Sequence, residues 1–414
     1  MKTFLILGAG TGGTMMANKL AKRLDPKEWK IILVDRDVTH YYQPGFLFLP
    51  FGYYKPEDIF KSKGKFVPSG VEFVVSDIEL IDPEASKVTL LKDKRVICYD
   101  QLLIATGTDI HPEEIEGMMD AGWRKNIFDF YTFEGAMALN GFLKNFNGGR
   151  VVLNIAEMPI KCPVAPLEFM YLADYYFTQR GIRNKVELVY TTPLSGAFTK
   201  PTASKMLGDV MEKKHIHTEA DFNIMEVDSG KNLLKSYDGR EIEYDLLVTV
   251  PTNMGSDVIK RSGMGDVLNY VPTNKQTLRS EKYENVWVVG DASNIPASKA
   301  GSVVHYAAET LIENILSAIE GKPLTAAFDG HSTCHIVSGF QKSLLIDFSY
   351  EVEPLPGLYP FPVVGPFPLL KESWFNYLGK LSFKWIYWNI MLRGIPFPLP
   401  PSYSIAGKKR IELA

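Results

Sequence analysis

The sequence predicts an α/β protein: two tandem Rossmann-like dinucleotide-binding units, then a C-terminal region suited to a membrane interface. Three observations lead there. A strand, glycine turn, helix, strand and acid open the chain. The same β/α rhythm returns between residues 113 and 250, without its glycines. From about Ala326 the composition turns aromatic, basic and proline-rich.

A chain of 414 residues allows two to three domains. Hydrophobic content of 46% supplies a large core, and a net charge of −3 gives no electrostatic reason to expect a nucleic-acid partner. The cysteines, Cys98, Cys162 and Cys334, are too few and too far apart for a disulfide framework or a zinc site, so no metal is expected. Met1-Lys2-Thr3 runs straight into a strand with no signal-peptide pattern, which makes the cytoplasmic face of a membrane the default location. No run of about 20 uninterrupted apolar residues occurs, so no spanning helix is expected.

In the first unit, Thr3–Leu7 reads as a strand, Gly8-Ala9-Gly10-Thr11-Gly12-Gly13 as a turn, Thr14–Leu24 as a helix and Trp29–Val34 as a second strand ending at Asp35. Gly8 allows the tight turn, Gly10 lets the backbone approach a pyrophosphate, and Gly13 lets helix and strand pack closely. The helix N-terminus then faces the phosphates, and Asp35 can bind ribose hydroxyls. Two further apolar strands end in Ala105-Thr106-Gly107 and in Gly290-Asp291. This combination resembles the two-dinucleotide-binding-domain flavoprotein superfamily. The resemblance implies FAD, with Ala105, Thr106 and Gly107 packed near it and Asp291 on its ribitol chain. A helix starting near Gly301 would aim its N-terminus at the flavin pyrimidine ring. Pro44 and Gly45 fall where a flavin-side loop is expected. The resulting division is an FAD-binding domain at 1–112 and 251–325, a second Rossmann-like domain at 113–250, and a C-terminal region at 326–414.

The second unit carries candidate strands at Arg150–Ala156, Lys185–Tyr190 and Asp245–Val250, with Asp238-Gly239 as a hairpin turn. A helix-like segment spans Leu167–Arg180. Where the phosphate loop belongs stands Lys161-Cys162-Pro163-Val164-Ala165-Pro166-Leu167-Glu168, with no glycine. Side chains there block the backbone's approach to a pyrophosphate, so NAD(P)H is not expected to bind and electrons must come from another donor.

Cys334–Tyr350 reads as two strands around a glycine-containing turn, and Glu353–Pro368 is rich in proline and aromatics. Leu370–Arg393 carries Trp374, Phe375, Tyr377, Phe383, Trp385, Tyr387 and Trp388 among Lys371, Lys380, Lys384 and Arg393, and a proline run, Ile395–Pro401, follows. A helix this aromatic and basic, yet not continuously apolar, suits the plane of a membrane interface. The alternative is docking on the domain or on a second copy, so a homo-oligomer stays open.

Together these features resemble the sulfide:quinone oxidoreductases along essentially the whole chain. The motifs are GAGTGG at 8–13, ATG at 105–107, Cys-Pro-x-Ala-Pro-x-Glu at 162–168, VVGDASNIPASKAG at 288–301, and Cys334 followed by Gly339 and Lys342. The resemblance implies a peripheral, monotopic membrane enzyme that oxidises sulfide to polysulfide or elemental sulfur and passes two electrons through FAD to a quinone. Cys162 and Cys334 would be the catalytic pair, joined by a sulfur bridge that sulfide attacks by thiol–disulfide exchange. Cys162 is assigned as the persulfide carrier and Cys334 as the flavin-adjacent thiolate. Lys299 and Lys342 match lysines near flavin and quinone in the family. Glu168 and His111 are candidates for proton handling. Lys161 and His335 adjoin the cysteines in sequence, but strand neighbours point to opposite faces, which favours solvent or packing roles.

The chain also departs from the family. Gly107–Thr132 lacks the additional cysteine many members carry, so FAD is expected to be non-covalent and sulfur chemistry to run on two cysteines. Cys98 is read as a small core or loop residue. Of the rival readings, a type II NADH:quinone oxidoreductase is disfavoured by the missing glycine loop. A flavocytochrome-type sulfide dehydrogenase is disfavoured by the aromatic C-terminus. A non-catalytic flavin-binding protein would have no use for the cysteine pair.

Overall fold

The computed structural model describes residues 1–361, 363–397 and 400–411. It opens with β1 (Lys2–Leu7), α1 (Thr11–Arg23), β2 (Trp29–Asp35), β3 (Val71–Val75) and β4 (Gln101–Ile104). A second series follows: β5 (Ile127–Phe128), α2 (Phe133–Asn145), β6 (Gly149–Ile155), α3 (Ala165–Gln179), β7 (Val186–Thr191), β8 (Ile216–Glu219) and β9 (Leu246–Val250). The chain then returns to the first sheet with β10 (Val286–Val288) and leaves it through α4 (Gly301–Ile319). Each series forms a five-stranded parallel sheet, ordered β10-β4-β1-β2-β3 and β5-β9-β6-β7-β8. Phe4–Leu7 and Leu102–Ile104 are fully buried, as continuous apolar strands covered on both faces must be.

Both sheets leave their functional turns at the carboxyl ends of strands. The 8–13 turn follows β1, the 105–107 turn follows β4, the 290–291 turn follows β10 and the cysteine turn follows β6. Ligands of open α/β sheets bind at that edge.

The C-terminal region forms two antiparallel hairpins, β11 (Ser332–Gly339) with β12 (Lys342–Phe348), and β13 (Gly357–Phe361) with β14 (Gly365–Leu369). The second hairpin lies in the proline-rich stretch, where no strand was expected. Pro360 and Pro366 face each other across it. Helix α5 (Trp374–Ile386) is shorter than the expected Leu370–Arg393. The Ser373 hydroxyl caps its start by accepting the Asn376 N–H at 3.0 Å, and a π-turn over Tyr387–Met391 ends it. Pro398 and Leu399 of the proline run lie outside the described residues.

The faces of α5 are inverted. Asn376 and Lys380 point into the protein, while Trp374, Phe375, Leu378, Leu381 and Trp385 point outward. Among the described residues no helix is long and apolar enough to cross a membrane.

Cys98 corrects the packing expectation. It lies exposed on a three-residue strand, Val96–Cys98, whose alternation turns only Ile97 inward.

The glycines of the first turn serve different needs. A Cβ on Gly13 would lie 1.8 Å from the Gly8 carbonyl oxygen, and one on Gly8, at φ +97°, would lie 2.3 Å from the Ala105 oxygen. A Cβ on Gly10 would meet nothing within 4 Å. We therefore expect Gly13→Ala to cost about 3 kcal/mol or to prevent folding, as overpacking against fixed backbone does. Gly10→Ala should melt within about 2 °C of the parent, since nothing in the protein resists it. Thermal denaturation of the two variants checks the contrast.

Candidate functional site

The 8–13 turn is shaped for a ligand the chain does not itself supply. Gly10, the residue before α1, leaves open space, and no side chain caps the helix N-terminus. Its first-turn amides thus face outward with their partial positive charge, as a pyrophosphate site requires. The start of α4 at Gly301 is likewise uncapped and free of acidic residues. The buried hydroxyls of Thr106 and Thr108, flanking Gly107 at φ +70°, have no partner among the described residues. An open glycine, two bare helix ends and orphaned hydroxyls fit a bound dinucleotide such as FAD.

The acids around this edge are placed differently. Asp35 accepts the Ala9 N–H at 2.6 Å and the Lys63 ammonium at 2.6 Å. A ribose there would share the carboxylate with the buried Lys63. Burial pushes the Asp291 carboxyl above the usual range, with Lys299 and Lys161 opposing it. The Lys299 ammonium donates to the backbone oxygens of Asp291 and Ser293 at 2.9 and 2.8 Å and lies 3.8 Å from the Tyr270 ring centre. Burial lowers its pKa to about 8. Lys299 therefore fixes the 291–293 turn. Its own carbonyl accepts the Cys162 N–H at 2.7 Å, joining that turn to the cysteine turn. Pro44, half-buried, and Gly45 form a 3-10 turn whose glycine abuts Ile59.

Between β6 and α3 the chain bends at Cys162, which holds φ +45°. This left-handed conformation costs a residue with a Cβ about 1 kcal/mol. It is held by the Lys299 carbonyl before it and by the Cys162 carbonyl accepting the Ala165 N–H at 2.8 Å. The Lys161 carbonyl accepts the Tyr131 hydroxyl at 2.8 Å. The turn is a built structure occupying the place of a phosphate loop.

Cys334 lies buried on β11, and α3 packs on that strand. Burial is the main influence raising both thiols, Cys334 to about 11. The Cys162 thiol is raised further by the Glu168 carboxylate and by Cys334 itself, so the two sulfurs share one electrostatic environment.

Glu168, in the first turn of α3, accepts the Val337 N–H of β11 at 2.8 Å and the Lys380 ammonium of α5 at 2.7 Å. Lys380 also donates to the His335 carbonyl at 3.1 Å. Exposure is 10% for the Lys380 side chain and 1% for Glu168, so this ion pair is internal. Burial pushes the Glu168 carboxyl up, and Lys380 opposes that shift.

Lys380 is the residue that sequence reasoning passed over. It was grouped with the basic residues of an interfacial helix. The outward stripe at Trp374, Leu378, Leu381 and Trp385 leaves position 380 on the inner face, and helical periodicity held that signal.

The remaining candidates lie elsewhere. Lys342 is exposed at the turn of the β11–β12 hairpin, opposite Gly339. Five residues of strand separate Gly339 from Cys334, roughly 17 Å at the usual rise. The structure thus does not bring Lys342 to the cysteines. The Lys161 ammonium reaches toward the Thr108 carbonyl, 3.5 Å away. His335 turns to Gly379 and Phe367, and burial with the Lys380 charge lowers its pKa to about 3. His111 pairs with Glu113 at 2.8 Å.

Residues 2–144 match the family model of the pyridine nucleotide-disulphide oxidoreductases. The chain is 29% identical over 396 residues to the mitochondrial sulfide:quinone oxidoreductase of Dictyostelium discoideum, covering 94% of this chain and 86% of that protein. The corresponding protein of Mus musculus is 28% identical over 397 residues, with the same coverage of 94% and 86%. The X-ray structure of the sulfide:quinone oxidoreductase from the hyperthermophilic bacterium Aquifex aeolicus shares the fold, with a TM-score of 0.80 at 22% identity over 96% of this chain and 93% of that one. Along 94% of its length, the chain is similar to sulfide:quinone oxidoreductases.

Proposed function

We propose that the protein is an FAD-dependent sulfide:quinone oxidoreductase seated on a membrane surface. One observation carries the reading: a built cysteine turn replaces the phosphate loop of the second sheet and shares a buried ion pair with the Cys334 strand. A type II NADH:quinone oxidoreductase needs that loop free for a dinucleotide.

FAD, when bound, takes up two electrons from the sulfur site and delivers them to a quinone. The protein's own residues manage the sulfur. Hydrosulfide attacks a bridged sulfur between Cys162 and Cys334, and one S–S bond breaks as another forms. Cys162 keeps the new persulfide and Cys334 leaves as a thiolate. Loss of two electrons and the persulfide proton closes a bridge longer by one sulfur. Lys380 lowers the Cys334 pKa against the burial that raises it, favouring the thiolate. Glu168 is the carboxylate that takes the proton, a role supported by its electrostatic influence on Cys162.

The outward face of α5 and the tip of the β13–β14 hairpin form the membrane contact. Trp385 is 62% exposed, Trp374 52% and Val363 91%. Lys371 flanks this apolar surface, as interfacial helices require.

Anaerobic sulfide should bleach the flavin and a quinone analogue restore it, with NADH inert. Cys162→Ala and Cys334→Ala should abolish sulfide-driven bleaching while Cys98→Ala retains it; rapid bleaching by NADH alone would sink this reading.

Lys380→Met strands the buried Glu168 charge and should cost about 3–5 kcal/mol in denaturant unfolding. Adding Glu168→Gln should recover most of that loss without restoring turnover, because stability needs only a satisfied interior.

Replacing Trp374 and Trp385 with Ser should shift the protein from liposomes to the supernatant while sulfide still bleaches the flavin. Unchanged sedimentation with liposomes would count against this membrane face.

A further inference from the structure

The far side of the Cys334 strand carries a buried polar chain that the sulfur chemistry does not use. Alternation on β11 sends Cys334 to one face and His331 and Thr333 to the other. The Tyr359 hydroxyl lies 3.1 Å from the Tyr306 hydroxyl, which lies 3.2 Å from Thr333 Oγ1. Thr333 donates to Asp347 Oδ1 at 2.7 Å. His331 Nε2 lies 2.7 Å from the same oxygen and 3.5 Å from Thr333 Oγ1. Lys408, from the C-terminal segment, binds the other oxygen of Asp347.

Asp347 is fully buried, so holding its charge is costly unless it is well bonded. Burial would raise its carboxyl, but His331 and Lys408 outweigh it and keep the pKa below the usual value. Three donors already satisfy the carboxylate if its only task is to fix the C-terminal segment. The hydroxyl chain from Thr333 through Tyr306 to Tyr359 adds nothing to that task.

The chain of hydroxyls does lead somewhere. Tyr359 is half-buried and two residues from Phe361, where the β13–β14 hairpin exposes its apolar tip. Tyr306 sits five residues past Gly301, about 7.5 Å along α4 from the helix start that faces the flavin site.

Resting on the quinone reading above, we propose that Tyr359, Tyr306, Thr333 and His331, with Asp347 as counter-charge, relay the proton that quinone reduction consumes. The balance is HS⁻ + quinone + H⁺ giving one sulfur atom in the cysteine bridge and one quinol. As the quinone oxygen gains its proton, the Tyr359 O–H breaks. Tyr306, then Thr333 as its hydroxyl turns from Asp347, then His331 Nε2–H replace that proton in turn, and solvent reprotonates His331 past the exposed Pro401, whose carbonyl lies 3.3 Å from His331 Nδ1. Burial raises both tyrosine hydroxyls, so no phenolate accumulates and the transfers are coupled. Sulfide and quinone are thereby served from opposite faces of one strand.

The test uses the FAD-loaded full chain and a short-chain soluble quinone, following sulfide bleaching and quinone reoxidation as separate phases. Thr333→Val and Tyr359→Phe should slow reoxidation about a hundredfold, as loss of general acid catalysis does, and enlarge its solvent deuterium isotope effect. Bleaching by sulfide and the KM for quinone should hold within about twofold, and Thr333→Ser should restore the rate. Parental reoxidation rates in both variants, or Thr333→Ser as slow as Thr333→Val, would overturn the relay. A lowered melting point with an unchanged rate would do the same, leaving only a staple for the C-terminal segment. Reducing the flavin with dithionite separates the two readings. If sulfide fails but quinone reoxidation keeps its Thr333 dependence, the sulfur reading falls and the relay stands; if quinone fails to reoxidise the flavin, the relay falls.

Discussion

The Lys380 ammonium lies 2.7 Å from the Glu168 carboxylate, with both groups withdrawn from water and 212 residues apart in sequence. Each would be costly to bury alone, so α3 and α5 must arrive together. The remaining capacity of the pair goes to backbone: Glu168 takes the Val337 N–H and Lys380 gives to the His335 carbonyl. These two contacts fall one and three residues past Cys334 on its strand. One ion pair therefore sets where Cys334 sits relative to the turn holding Cys162. It also sets the face of α5. With its one buried ammonium turned inward, the helix turns its apolar stripe outward.

The same burial decides which sulfur acts first. With Cys334 at about 11 and Cys162 raised by burial and Glu168, a reduced pair would remain protonated at neutral pH. Neither cysteine is then a competent opening nucleophile. Sulfide arrives as an anion and needs no base. A site that disfavours free thiolates favours the closed bridge between turnovers. In the proposed mechanism Lys380 tempers this at Cys334, the sulfur that would leave as a thiolate.

The first unit was readable because its signals are local. Gly8, Gly10 and Gly13 stand at fixed offsets from an apolar strand, and the structure separates two that the chain needs from one that it does not. The strands of both sheets were equally plain, since buried parallel strands read as apolar runs. The cysteine turn was legible as an absence of glycine. The partners of that turn were not. Lys380 looked like a surface lysine among aromatics, and only the packing of α5 on β11 and β12 turns it inward. Lys342 was placed near flavin or quinone through a sequence motif, and it lies at the hairpin turn, away from Cys334. The β13–β14 hairpin escaped because prolines argue against strands, and here they sit in a short two-stranded ribbon. Cys98 was read as a core or loop residue, and it lies exposed at the end of a three-residue edge strand.

The C-terminal region is bound into both sites and is not an appendage. The Tyr387 hydroxyl lies 2.7 Å from Thr11 Oγ1 at the start of α1 and 2.6 Å from His40 Nε2. Asn18 of α1 donates to the Leu392 carbonyl at 3.0 Å, and Met391 lies against Gly301. The segment that would meet lipid thus packs beside the start of the first helix, reaches that of the second and supplies the cation paired with Glu168. Cutting the chain after Pro368 would remove Lys380 and leave Glu168 buried without a counter-charge. Such a truncation would confound lipid release with collapse of the sulfur site. Membrane attachment and chemistry are separable only by changing the outward side chains of α5 while its inward face stays whole.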